Sequence, residues 1–351
     1  MKNIDDLIAN LLVNFTRIYS EFMEILYFVS EKFRTTDDKY VLTKEKPFKE
    51  NRQIIITPEI ILKTNEVKLP NTKPFFREII KDFFEIVSSN VSKDNLKKLI
   101  EKMQICYYFK NYGVACYNPL GNSIVIDSHV EYNINQRILK YGSKENISSY
   151  KDNIKRILTH ELLHLSSTIY DKEIVVCYSG FSQQSDTYGQ RIGVSLNEGY
   201  TELLVEKYDF AQENSIVCYQ YEKNISYFIE HILGEELMQS FYFKADLQGF
   251  VNELSKYSTL KETRQFLINL DKMSYLLKYR KYKEYLAEIV LLNDNINNFI
   301  KKSYINRKKI DYSEEIVEKI ADKFMDVVYK NINNLIPEND CDDFKKMTTN
   351  R

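Results

Sequence analysis

The chain has 351 residues with 49 basic and 50 acidic side chains, so its formal net charge is −1. This length allows two or three domains, and 44% hydrophobic with 28% charged residues is ordinary for a folded protein and argues against disorder as the main state. A net charge near zero provides no overall field that would favour nucleic acid or an anionic membrane.

The five cysteines stand singly and form no CxxC pair, which argues against a disulfide framework or a thiolate zinc site and fits a reducing compartment. The sequence contains no run of about 18 uncharged apolar residues, so we expect no membrane span. Its charged N-terminus is unlike a signal peptide. We therefore expect a cytoplasmic protein with no membrane span and no nucleic-acid partner. The sequence leaves unconventional export open.

The first element in chain order is a helix predicted over residues 1–33. Its apolar residues follow a heptad seam from position 4 to position 29, and apolar residues that flank the seam widen the stripe and favour a helix docked on the rest of the chain. Dimerisation through the seam is the alternative. Residues 35–75 hold four of the six prolines and are interpreted as a connector, so residues 1–74 form a helix-and-connector region.

Residues 75–108 have helical spacing with a break near 88–93. Two short strands around a Pro/Gly/Asn turn then predict a hairpin over 114–126. A helix is predicted from Ser149, residues 171–195 resemble a loop, and nearly everything from 196 to 334 is predicted helical. Residues 216–336 would form a helical C-terminal subdomain, and residues 337–351 a flexible tail. The pattern predicts an α+β, mainly helical fold.

The helix predicted from Ser149 carries His160-Glu161-Leu162-Leu163-His164, an HExxH motif. Four helical residues turn by about 400°, so the two imidazoles lie about 40° apart and can reach one metal ion. Glu161 lies about 100° from His160 and can reach a metal-bound water instead. The alternative is a pair of partly exposed histidines on a helix surface.

A second motif, Leu196-Asn197-Glu198-Gly199-Tyr200-Thr201-Glu202, follows. Catalytic zinc commonly has three protein ligands and a water, and a glutamate can be the third beside two histidines. Glu198 and Glu202 share a helical face, so one can bind metal while the other hydrogen-bonds a ligand imidazole. The alternative is a solvated acidic face.

The two motifs together resemble the gluzincins, the zinc peptidases that include thermolysin-like enzymes and zinc aminopeptidases. The resemblance implies a zincin-like catalytic core over 75–215 and a Zn²⁺ ion bound by His160, His164 and Glu198. It also implies Glu161 as general base, with Glu202 and Asn197 supporting the ligands. Metzincins are disfavoured because Ser167 and Tyr170 stand where their motif needs glycine and histidine.

Such peptidases align substrate along an edge strand, which here would be residues 122–126, although an ordinary hairpin is the alternative. The oxyanion donor in these enzymes is a Tyr or His of the helical half. His231 is our choice, with Tyr219, Tyr221 and Tyr227 as further candidates. His129 is expected to be a loop residue.

The sequence thus predicts a zinc metallopeptidase that hydrolyses a peptide or protein substrate through a metal-activated water. One alternative is a helical binding or regulatory protein with a structural or vestigial zinc site. Another is a zinc hydrolase acting on a non-peptide amide.

Overall fold

The computed structural model describes residues 74–108, 115–118, 122–127, 144–171, 176–184, 191–208, 219–278 and 282–333. Most of these residues are helical and the strands are short, which confirms an α+β, mainly helical fold. The heptad seam, the connector up to residue 73, the C-terminal tail and His129 lie outside the described residues.

Two helices open the described chain. Helices α1 (Pro74–Val87) and α2 (Lys93–Lys102) are separated by a turn, as the helical spacing with its break near 88–93 predicted. Ile79, Ile80, Phe83 and Val87 follow the three-and-four spacing of one helix face and are buried. This apolar face joins α1 to the hydrophobic core.

A three-stranded sheet follows, formed by β1 (Gln104–Tyr108), β2 (Ala115–Asn118) and β3 (Ser123–Asp127) in the order β1-β3-β2. The antiparallel pairing of β2 with β3 confirms the predicted hairpin. Helix had been predicted over 104–108, and this was wrong, because β1 pairs in parallel with β3. A pairing with a strand 15 or more residues away leaves no trace in local spacing.

The HExxH motif lies on α3 (Lys144–Ser166), which begins before the predicted Ser149. The segment predicted as a loop over 171–195 instead contains two small antiparallel pairs. They are β4 (Thr168–Asp171) with β5 (Val176–Ser179) and β6 (Gln183–Gln184) with β7 (Arg191–Ile192). Helix α4 (Val194–Lys207) follows and carries the second motif.

The remaining described chain is helical, as predicted. Its helices are α5 (Gln220–Leu233), α6 (Glu235–Phe243), α7 (Leu247–Leu254), α8 (Leu260–Lys278), α9 (Tyr282–Lys308) and α10 (Glu314–Asn333). One hydrophobic core runs continuously from α1 to α10, and α4 packs closely against α5. Among the described helices, none is both long and apolar enough to cross a membrane.

Candidate metal centre

Helix α3 presents the two histidines because its apolar residues lie elsewhere on the helix. Ile154, Leu158 and Leu165 are buried in the core. His160 and His164 are also largely buried, at 7% and 8% exposure, but their rings turn towards α4. The helix therefore anchors its back in the core and offers two imidazoles to the neighbouring helix.

Two contacts hold helix α4 opposite these imidazoles: a carboxylate caps its N-terminus, and its backbone packs closely against α5. Its first backbone amides, of Gly193 and Ser195, each donate a 2.8 Å hydrogen bond to the carboxylate of Asp271 on α8. A carboxylate at a helix N-terminus satisfies unpaired N–H groups and favours the helix dipole. At Gly199, a Cβ atom would lie 2.2 Å from the carbonyl oxygen of Glu222 on α5, so only glycine permits this packing.

Three ligand atoms converge between α3 and α4. Nε2 of His160 lies 3.1 Å from Nε2 of His164 and 3.1 Å from Oε2 of Glu198. Oε2 of Glu198 lies 3.3 Å from Nε2 of His164. These three side chains form a group that could hold a metal ion. The ligand set anticipated by the two motifs is thus brought together in space.

The separations match those of a small tetrahedral ion. In a regular tetrahedron two ligand atoms are about 1.6 bond lengths apart, so zinc bonds of about 2.0–2.1 Å give separations of about 3.3–3.4 Å. The observed values of 3.1–3.3 Å are close to these. Two imidazole nitrogens also disfavour Ca²⁺ and Mg²⁺, which prefer oxygen ligands. The residues therefore fit a zinc-like ion.

Hydrogen bonding places a lone pair of His160 at the centre of this group. Nδ1 of His160 lies 2.9 Å from Oε2 of Glu202, and because a carboxylate only accepts, Nδ1–H is the donor. Nε2 of a neutral His160 then carries a lone pair that points at Glu198 and His164. Nε2 of neutral His160 and Oε2 of Glu198 are then two converging acceptors, and a divalent metal ion would supply the positive charge between them.

The pKa values of the ionisable groups at this site reflect the same need for positive charge. Burial lowers the pKa of His160, but its hydrogen bonds to Glu198 and Glu202 outweigh burial and hold that pKa well above its ordinary value. Burial raises the pKa of Glu198, yet the two imidazoles bring it below its usual range. The pKa of Glu202 is likewise lowered, since His160 and Arg156 overcome burial. Both carboxylates are therefore stabilised as anions.

Asn197 lies beside the second histidine. Its Nδ2 is 3.2 Å from Nδ1 of His164, and its Oδ1 accepts a 3.0 Å hydrogen bond from the amide of Phe181. Gly180 packs so closely that a Cβ atom there would lie 2.1 Å from Oδ1 of Asn197. The turn at Gly180 and Phe181 therefore fixes the asparagine side chain against the ring of His164.

Glu161 stands apart from the three ligands. It is 7% exposed, and burial raises the pKa of its carboxyl group, although both histidines oppose that shift. A hydrogen bond from the backbone N–H of Tyr117 on β2 also reaches this carboxylate. Strand β2 is an edge of the three-stranded sheet in the part of the chain that the structure describes. The expectation that residues 122–126 align substrate was wrong, because β3 is paired on both sides.

The structure places His231, our choice of oxyanion donor, near the C-terminal end of α5. It lies 12 residues beyond Tyr219 along α5, about 18 Å at 1.5 Å per residue. Its ring stacks on Phe324 and Tyr304, at centroid distances of 5.6 and 6.1 Å, and does not face the histidine cluster. The structure gives His231 a packing position against the C-terminal helices.

Of the other candidate donors, Tyr219 contacts the cluster. Its ring stacks on that of His160 at 5.8 Å with an interplanar angle of 17°. Its backbone is left-handed, with φ of 55°, which is uncommon for a residue with a side chain. Tyr221 is instead buried with its hydroxyl donating to Asn293, and Tyr227 is 48% exposed.

Two residues at the site escaped sequence reasoning. Arg156 is buried on α3 and donates to Glu202, although its spacing of four residues before His160 was visible. Asp271 caps α4 from 76 residues away, and no local signal identifies it. The chain matches no protein-family model, no curated protein and no solved structure.

Proposed function

We propose that the chain is a zinc-dependent metallopeptidase with a gluzincin-like, zincin-type active site. The observation that carries the proposal is the convergence of His160, His164 and Glu198 at 3.1–3.3 Å, with the separate carboxylate of Glu161 buried beside them. A structural zinc site is closed by four protein ligands, whereas a catalytic one has three and leaves a position for water. Among the described residues three side chains offer ligand atoms, and together with the adjacent carboxylate of Glu161 they favour catalysis.

His160, His164 and Glu198 would hold the ion. A bound Zn²⁺ would acidify water to a pKa of about 7 and polarise the scissile carbonyl. Glu161 would take the proton from the attacking water onto its carboxylate and later deliver it to the leaving amine. Its buried position excludes competing solvent, and the raised pKa of its carboxyl group suits an acid–base role.

Two elements would bind and orient the substrate. An extended peptide would pair its backbone along β2, which lies against α3 beside Glu161. Tyr219 takes the place we had given to His231. Its ring stacks on His160, which makes it the candidate in contact with the cluster, and an oxyanion donor is worth a factor of about 10²–10³ in kcat.

The test is Glu161→Gln, assayed for cleavage of a fluorogenic peptide library with bound zinc measured in the same samples. Losing a general base should lower activity by about 10²–10⁴ while zinc is retained. Glu236→Gln, at an exposed position on α6, is the matched control and should keep wild-type activity. Full activity of Glu161→Gln would refute the mechanism. If the zinc-loaded wild type cleaves only non-peptide amides, the alternative zinc hydrolase is favoured. If it cleaves nothing, the binding or regulatory protein is favoured.

A further inference from the structure

A line of alternating charges runs from the metal centre across three helices. Glu202 directs Oε2 at Nδ1 of His160 and accepts on Oε1 a 2.9 Å hydrogen bond from Nε of Arg156, whose Nη2 also contacts Oε1. Arg156 Nη2 lies 3.9 Å from Glu206, and Glu206 pairs with Lys223 on α5. One oxygen of the Glu202 carboxylate thus contacts the guanidinium of Arg156, and the other contacts the imidazole of His160.

Both members of the central pair are shielded from water. Arg156 is 4% exposed and Glu202 is 2% exposed. A buried carboxylate needs a partner for each oxygen, and Nε and Nη2 of Arg156 both contact Oε1 of Glu202. With Oε1 held by Arg156, Oε2 is aimed at His160, so Nδ1–H is held and the lone pair of Nε2 faces the other ligands.

The location of the pair adds a second effect. Arg156 belongs to α3, which carries both histidines, and Glu202 belongs to α4, which carries Glu198. The Arg156–Glu202 contact therefore joins the two helices whose separation sets the distances among the three ligand atoms. An uncharged residue at 156 would leave Glu202 buried without its cation and free to turn away from His160.

We propose that Arg156 is a positioning residue for the metal centre, acting through Glu202 on His160. The proposal rests on the metal site that the proposed function assigns. Supporting partners of ligand imidazoles typically contribute 10–100-fold to metal affinity, and the same scale is expected here. The effect should appear in metal binding itself, whatever the substrate.

The experiment measures Zn²⁺ affinity of the metal-free full chain by competition with a chromophoric chelator, and ligand geometry by the Co²⁺ absorption band. Arg156→Met should weaken Zn²⁺ binding by about 10–100-fold and alter the Co²⁺ band. Arg156→Lys should recover part of the affinity. Lys207→Met removes a partly exposed cation on α4 that pairs with Glu230 and Glu235, and it should bind Zn²⁺ like the wild type.

A double-variant comparison settles the route and remains decisive if Arg156→Met does not fold. The pair Arg156→Met with Glu202→Gln removes both charges together and leaves no unpaired buried ion. If Arg156 acts through Glu202, the double variant should bind Zn²⁺ as weakly as Glu202→Gln alone. A further tenfold loss in the double variant would overturn the proposal, as would wild-type affinity of a folded Arg156→Met or an equal loss in Lys207→Met.

These outcomes are separate from those of the peptidase test. A wild-type chain that binds Zn²⁺ but cleaves no peptide would refute the peptidase proposal and leave the role of Arg156 standing. Unchanged metal affinity in Arg156→Met would refute that role and leave the peptidase proposal standing. A wild-type chain that binds no Zn²⁺ would overturn both.

Discussion

Replacing Gly199 with alanine separates two opposing physical effects at the metal centre. Alanine at an interior helix position is favoured over glycine by about 1 kcal/mol, so propensity alone predicts a more stable protein. The new Cβ, however, would lie 2.2 Å from the carbonyl oxygen of Glu222, whereas an ordinary contact begins at 3.4 Å. Helices α4 and α5 would have to separate by about 1.2 Å, the difference of those two distances.

This displacement should be costly and should reach the ligands. Overpacking against a rigid neighbour typically costs about 1–3 kcal/mol, which outweighs the propensity gain. Glu198 is the adjacent residue, and metal bonds tolerate errors of only about 0.2 Å. We therefore expect Gly199→Ala to lower the melting temperature of the metal-free protein by several degrees and to weaken Zn²⁺ binding at least tenfold.

Thermal unfolding and chelator competition check both effects. Gly234→Ala is the matched control, because Gly234 has φ of 95° but a Cβ atom there would meet nothing within 4 Å. It should lose stability through backbone strain and still bind Zn²⁺ normally. An unchanged or raised melting temperature for Gly199→Ala, with normal Zn²⁺ affinity, would refute the reasoning.

Two further predictions concern Asp271, which supports the site, and His231, which packs outside it. Asp271→Asn should lower the free energy of unfolding of the metal-free protein by about 1–2 kcal/mol, because the amides of Gly193 and Ser195 lose a charged acceptor; urea unfolding measures this, and no loss would contradict the capping role. His231→Ala should leave Zn²⁺ affinity and kcat/KM for peptide within about twofold of wild type, since its ring packs on Phe324; a large fall in kcat alone would restore it as a candidate donor.

The two candidate histidine ligands were predictable from their spacing on a helix, whereas Glu198 was chosen as the third ligand from the resemblance to gluzincins. HExxH places two imidazoles on one helix face, and the Asn-Glu pair falls on a second helix whose start was predicted to within two residues. Mainly helical architecture followed from the same periodicity. The hairpin was also predictable, since an antiparallel pair joined by a short turn depends on neighbouring residues.

The failures share a dependence on distant residues. Helix was predicted for β1 because its pairing with the later strand β3 leaves no pattern in the local sequence. His231 was chosen for its chemistry, but the position of α5 brings Tyr219 to the cluster instead. Arg156 lies four residues before His160, a helical spacing that the sequence shows. Its partner Glu202, however, lies 46 residues away. Tertiary contacts decide which of several plausible side chains reach a site.

Three contacts to three different helices now account for the position of Glu198. Asp271 of α8 holds the first turn of α4, Gly199 allows close packing on α5, and the Arg156–Glu202 pair attaches the helix to α3. None of these contacts involves a metal ligand atom directly. The ligand geometry is therefore built by protein packing, in contrast to small zinc domains that fold only around their metal. Such a pre-formed geometry supports the proposed hydrolase over a structural zinc protein, because catalysis requires ligands that are held in place before the substrate binds.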